Sequence, residues 1–269
     1  MERVTDMEKI RETAKEFFEQ DMKLTLQEYP AGFSVVIDHP LFKIFDFRGD
    51  HSHNPKDSDL LKVLSDGEKR LEIKEKKWEY LCKQPLAGIV RSFTEPYVIP
   101  FLKKIIPFTS ADDFAVALRT AWDMGPHGKS LDSWIDNGLK KEDVFELLDA
   151  CNPKKLMTDE EYKEFSREKY PLMVYRSDES EAEPGQMFSW ALEPRYVVDE
   201  LDAVYGEYKC YGCYEATINP EDVYARIDHK GVILNPDRLQ DIKHFNSIVE
   251  VCDEDDLPDR DEEEDEDED

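Results

Sequence analysis

The sequence predicts an α+β chain: a helix-rich N-terminal part, a strand-rich C-terminal part and a disordered acidic tail. Three observations carry this. Up to about Lys169, apolar residues recur at helical spacing behind capping residues. After Lys169, short runs rich in Val, Ile, Tyr and Trp take over. From residue 253 the chain is almost wholly acidic. These shifts divide it into an N-terminal α+β region over 1–105, a second domain with leading helices over 106–252, and the tail over 253–269. The first boundary falls in a window from 85 to 110.

The first helix is expected over residues 5 to 28, with Thr5 and Glu8 as a capping box and Ile10, Ala14, Phe17 and Phe18 in helical register. Residues 33 to 47, FSVVIDHPLFKIFDF, are β-branched and aromatic but broken at His39-Pro40. They read as two strands or one bent strand. The next segment, HSHNPKDSD, is a loop; its His51 and His53 lack carboxylate or cysteine partners in register, so it reads as a loop before a metal site. Residues 58 to 82 read as a charged helix interrupted near Gly67.

Between Pro85 and Pro107, three prolines in PYVIPFLKKIIPF argue against any long helix. An amphipathic helix follows at 111–123, ADDFAVALRTAWD, ended by Gly125, Pro126 and Gly128. Further helices are expected at 141–150 and 158–168, the second opened by a Thr158/Glu161 capping box. Strands then follow in LMVYR, MFSWAL, KCYGCYEATI, VYARI and GVILN. The chain has no internal repeat.

Charge narrows the function classes. Asp and Glu number 63 against 35 Lys and Arg, a net charge of -28. The tail, DEDDLPDRDEEEDEDED, supplies -13 of that from 17 residues, and the body keeps -15. Such a tail repels itself and has almost nothing to bury. An acidic body argues against direct binding to nucleic-acid phosphates. It suits competition for a basic groove on another protein, with solubility as the plain alternative. No window approaches the ~18–20 apolar residues of a membrane span, so no membrane partner is expected. The start, MERVTDMEKIRETAKEFF, lacks the apolar core of a secretory signal. Five cysteines, an odd set, fit a reducing, cytoplasmic setting.

The candidate site lies in residues 170–191, YPLMVYRSDESEAEPGQMFSWA. Arg176 ends an apolar run, where a guanidinium can grip a phosphate or carboxylate in bidentate fashion. Ser189 can hydrogen-bond a ligand or hold the arginine's strand, and Trp190 offers a flat wall. The same residues admit a structural account: an arginine paired with its own acidic loop (Asp178, Glu179, Glu181) and a core tryptophan.

From Asn152 the order NPKKLMTDEEYKEF, YPLMVYRS, GQMFSWAL, YKCYGCYEATINPEDVYARID and GVILNPDRLQDIK resembles phage- and prophage-encoded proteins with the ADP-ribosyltransferase fold. Their pattern runs through an LM-x-EE helix, a VYRG strand, a SWT strand, a strand at "pedV-A", an RGE-x-E-V-V-NP segment and an "LKDI" helix start. The resemblance covers about residues 150–245. It implies that Arg176 holds NAD phosphates or the adjacent ribose and that Ser189 orients the nicotinamide ribose side. It also implies a closing glutamate that favours the oxocarbenium-like transition state. The departures are specific. Ser177 stands for the glycine after the arginine, Ala191 for the threonine after the tryptophan, and VVDELDAVYG for a helix with a Phe-Ala pair. Where the closing glutamate belongs, the chain reads DHKGVILNP; Glu215, Glu221 and Asp228 are near in sequence but out of register.

Cys210 and Cys213 have CxxC spacing, half of a zinc site, with Cys252, His229 or His244 as conceivable partners. With no second CxxC they read more readily as reduced structural cysteines. The sequence holds no Gly-rich phosphate loop, HExxH or GxSxG. The resulting expectation is a non-catalytic, phage-type inhibitor of a host defence protein with a basic, nucleic-acid-binding surface, working without a cofactor. An active NAD-dependent ADP-ribosyltransferase, using Arg176, Ser189 and Trp190 for NAD, is the alternative. No catalytic residue is assigned, and homo-oligomerisation is left open.

Overall fold

Asp6, one residue beyond the expected Thr5, caps the first helix, α1 (Met7–Phe18): its carboxylate accepts from the backbone N–H of Glu8 and of Lys9, each at 3.1 Å. The Thr5 hydroxyl instead meets Ser110 at 3.2 Å. This computed structural model describes residues 3–21, 23–29, 32–41, 45–47, 66–124, 140–178, 183–205, 211–227, 230–252 and 257. His51, His53, Gly125, Pro126, Gly128, Glu179, Glu181, Cys210, Asp228, His229 and all of the acidic tail but Leu257 lie outside the described residues.

The expected helix over 5–28 is half right. Helix α1 stops at Phe18, and β1 (Lys23–Tyr29) follows as a strand. Its sequence KLTLQEY alternates apolar and polar residues, and its backbone pairs along the whole length with β2 (Gly32–Asp38), from Lys23↔Asp38 to Tyr29↔Gly32. Strand β3 (Phe45–Phe47) joins β2 to complete an antiparallel meander, so the described residues of 33–47 include two strands. His39 ends β2 in the interior, 1 % exposed. Its Nδ1 accepts from the Leu41 N–H at 3.1 Å, which leaves the Nε2–H to face the Phe18 carbonyl at 3.2 Å.

Among the described residues four helices follow: α2 (Gly67–Leu81), α3 (Leu86–Val90), α4 (Glu95–Ile105) and α5 (Ala111–Trp122). Between Pro85 and Pro107 no helix exceeds 11 residues, in line with the expected breaks, yet Pro100 lies inside α4. Proline costs roughly 3 kcal/mol inside a helix. Burial of Val98, Ile99, Phe101, Leu102 and Ile105 outweighs it, at about 1.5–3 kcal/mol per large apolar side chain. Phe101 stacks on Phe93 at 4.2 Å between centroids, and both meet Phe17 of α1 edge-on, at 5.4 and 6.0 Å.

Next come α6 (Lys141–Asp149), α7 (Pro153–Leu156) and α8 (Asp159–Phe165). The Thr158/Glu161 box forms as the sequence predicts: Thr158 N–H donates to Glu161 at 2.6 Å and Glu161 N–H to the Thr158 hydroxyl at 3.2 Å. The backbone divides into two units, residues 1–129 with 145–156 and residues 130–144 with 157–269.

The second unit is built on an antiparallel sheet of β4 (Leu172–Ser177), β5 (Ser189–Ala191), β6 (Cys213–Ile218), β7 (Val223–Ile227), β8 (Gly231–Leu234) and β9 (Gln240–Phe245). Its order is β7-β8-β5-β4-β6-β9. The protein is thus an α+β chain. The segment LQDIK, aligned with a helix start in the resembling family, is the edge strand β9: it pairs with β6 from Cys213↔Phe245 to Thr217↔Gln240. One face packs Val174, Trp190, Ala216, Ile218, Val232 and Leu234 with Phe165 of α8. The other packs Cys213 and Tyr175 against Val197, Val198 and Leu201 of α9 (Pro194–Tyr205).

Candidate functional site at the end of strand β4

Strand β4 is apolar from Leu172 to Tyr175 and turns polar at Arg176, Ser177 and Asp178. It is paired on one side over its whole length with β6, including Arg176↔Tyr214 and Tyr175↔Glu215. On the other side it meets β5 at Tyr175↔Ala191. Side chains alternate faces along a strand. Tyr175, Ala191 and Ser189 therefore share the face covered by α9, while Arg176 and Trp190 turn to the opposite one.

Of the three residues expected to make a nucleotide pocket, this register sets Ser189 on the opposite face from Arg176 and Trp190. Trp190 is 2 % exposed, packed in the core, and its indole N–H donates to the Met187 carbonyl at 3.0 Å. The Arg176 guanidinium donates to the main-chain carbonyl of Ser189 at 2.9 Å, so the two residues meet through the backbone. The Ser189 side chain lies on the α9 face.

What gathers beside Arg176 is a different set. Arg176, Tyr214 and His244 stand in one row across β4, β6 and β9, on the same face. The Tyr214 and His244 rings lie 4.7 Å apart at 44°. Asp178 continues the row one step past the strand. One of its oxygens accepts from the Gly212 N–H at 2.7 Å, and the other lies 2.9 Å from His244 Nε2. Asp178 and His244 are 29 % and 41 % exposed, so the pair is open to solvent. The carboxylate fixes the imidazole plane and leaves Nδ1 without a protein partner among the described residues. The group can orient a polar or anionic group from a partner.

The acidic-loop residue Asp178 thus engages His244 rather than Arg176. Sequence reasoning placed His244 only as a conceivable zinc partner. The available signal was the tandem of GCY in 212–214 and KHF in 243–245, whose pairing as neighbouring strands sets Tyr214 opposite His244.

Of the candidate carboxylates near the expected closing position, Glu215 and Glu221 are among the described residues. Strand β8 is GVIL and pairs with β5 as Ser189↔Ile233 and Trp190↔Val232. Glu215 faces away from Arg176, on the α9 side, and its oxygen lies 2.7 Å from Lys243 Nζ. Glu221 sits in the turn Pro220–Asp222, exposed. Burial raises the Tyr175 hydroxyl above its ordinary pKa, and Glu215 adds to that.

The zinc candidates fare as follows. Cys213 is buried, with its thiol directed to the Tyr214 carbonyl at 3.3 Å, and burial pushes its pKa up to about 12. A metal needs the thiolate. Among the described residues no group of three or more His, Cys, Asp or Glu side chains is arranged to hold a metal ion. Also among them, no helix is long and apolar enough to cross a membrane. Comparison of the chain with protein-family models, with curated proteins and with solved structures finds no match.

Proposed function

We propose that this chain acts by binding a protein and not by NAD chemistry: a phage-type inhibitor in a cytoplasmic setting, whose acidic surface engages a host defence protein at a basic, nucleic-acid-binding groove. The observation that carries the non-catalytic half is the separation of Arg176, Ser189 and Trp190. The arginine holds a main-chain carbonyl, the tryptophan is core, and the serine side chain is on the other face of the sheet. Transfer from NAD needs such groups to converge on one ligand within a few tenths of an ångström. The partner class follows from the net charge of -28. A groove that evolved for phosphates presents a complementary field, which speeds encounter and disfavours neutral partners.

An ADP-ribosyltransferase-like ancestry for the second unit is supported by segment order. The runs VYRS, SWA, VYARI and GVIL fall on β4, β5, β7 and β8, which belong to one sheet.

The test joins chemistry and competition. Purified chain, incubated with labelled NAD and a bacterial lysate, is expected to release no nicotinamide and to label no protein. Used as bait, it is expected to retain a protein that duplex DNA elutes. Labelling that disappears in Arg176→Ala would overturn the proposal in favour of an active ADP-ribosyltransferase.

A further inference from the structure

The N-terminal unit contains a cleft of about 660 Å³ lined by Thr5, Met7 and Arg11, by Lys83 and Leu86 between α2 and α3, and by Asp113 of α5. That volume falls in the roughly 300–1,000 Å³ range of small-molecule sites. Two cations, Arg11 and Lys83, line it with one carboxylate, Asp113. Among the described residues neither Arg11 nor Lys83 has an ion pair or a side-chain hydrogen bond, and the Arg11 Nε is buried with no acceptor.

Arg70, Arg91 and Lys155 are likewise without an ion pair among the described residues; what marks Arg11 is that its buried Nε comes with no partner at any other guanidinium nitrogen. Some neighbouring cations are paired: Lys9 with Glu12 at 2.7 Å and Lys15 with Glu19 at 3.7 Å on α1, and Lys76 with Glu72 at 2.6 Å on α2. Glu8 stands three residues before Arg11, a spacing that suits an ion pair, yet forms none with it. Asp113 adds one negative charge at the cleft, and its carboxylate accepts from the hydroxyls of Thr5 and of Ser110, the latter at 3.0 Å, rather than from either cation. The terminal nitrogens of Arg11 are not buried and also lack a protein acceptor among the described residues, so they can meet a ligand oxygen.

We propose that this cleft binds a small organic oxyanion, a phosphate monoester or a carboxylate. The Arg11 fork takes its oxygens, Lys83 adds a point charge, and Met7 and Leu86 cover its carbon body. Asp113 accepts from a hydroxyl or amine donor on the same ligand. The site lies wholly within the first unit and is independent of how a protein partner is held.

The test is calorimetry on the full chain at low salt with two sets of probes, glucose 6-phosphate and AMP in one, citrate and glutamate in the other. Saturable heat in one set is expected and identifies the oxyanion. Arg11→Gln and Lys83→Gln are each expected to weaken it by about tenfold or more, the scale of one charge-assisted contact. If Arg11→Gln fails to fold, the more accessible Lys83→Gln carries the test alone. No heat with any probe up to about 10 mM, where binding free energy becomes negligible, overturns the proposal. So does an unchanged affinity in either folded variant.

Discussion

His244 reaches Asp178 across the position of Gly212. Its Nε2 lies 2.9 Å from Asp178 Oδ2, and the ladder β4-β6-β9 places Gly212 beside both. A Cβ on Gly212 would stand 2.3 Å from that same carboxylate oxygen and 2.6 Å from the Phe245 carbonyl oxygen. The side chain can swing away, but the carbonyl belongs to a paired strand and cannot. The missing side chain is therefore what allows the acid and the imidazole to meet.

Gly212→Ala is accordingly expected to cost about 1–3 kcal/mol, the usual cost of overpacking an ordered site. It should also part Asp178 from His244. Urea unfolding measures the first effect, and a change in the His244 ring NMR signals reports the second. Unchanged stability with unchanged His244 signals would mean that the Asp178 carboxylate has room the structure denies it.

Arg176 ties β5 to β4. The two strands share the pair Tyr175↔Ala191, so a side-chain bond to the Ser189 carbonyl reinforces a short seam. Arg176→Ala removes a donor to a half-buried carbonyl and should cost roughly 1–3 kcal/mol. Arg176→Lys should restore part of that, since one donor suffices for one carbonyl. Faster amide exchange in Ser189–Ala191 is the expected local readout. Stability equal to the parent in Arg176→Ala would release the guanidinium for a ligand and revive the nucleotide reading.

How much of this was legible depends on the range of the interactions. The Thr158/Glu161 box and strands β4 to β8 are set by local pattern, and their segments read correctly. β1 did not, because KLTLQEY is fixed as a strand by pairing with β2. Pro100 stays helical because tertiary burial outweighs its local penalty. The site shows the same division. Arg176 was legible as a polar strand end, but the separation of Ser189 from it depends on the register Tyr175↔Ala191. The Asp178–His244 contact joins residues 66 apart in sequence, and no motif announces it.

The buried thiols give a pH prediction. Burial pushes Cys151 and Cys213 from an ordinary 9.0 up to about 12. The folded state then holds these protons more tightly than the unfolded state does. Their contribution to stability is complete below about pH 9 and is lost as pH rises from 9 towards 12. Urea midpoints measured from pH 8 to 10.5 should fall, and the fall should be shallower in Cys213→Ala. Iodoacetamide on the native chain at pH 8 should spare Cys151 and Cys213 while reaching the half-buried Cys82 and Cys252. Rapid labelling of Cys213 would show that its face of the sheet opens.

The acidic tail should act on encounter more than on residence. Residues 253–269 carry 14 acids and one arginine, nearly half of the net charge of -28. Charges of this kind attract a basic partner over long range, and salt screens them within roughly 10 Å at 0.1 M. The lifetime of a complex is set instead by desolvated apolar and aromatic contacts, because rim charges seldom govern dissociation. Deleting residues 253–269 is therefore expected to slow association several-fold at low salt and leave dissociation nearly unchanged. Surface plasmon resonance against the protein retained on the bait, at two salt concentrations, separates the two rates. Faster dissociation with association intact would make the tail a docked element. If neither rate changes, the tail's charge serves solubility, and recognition of a basic groove must rest on the -15 carried by residues 1–252 alone.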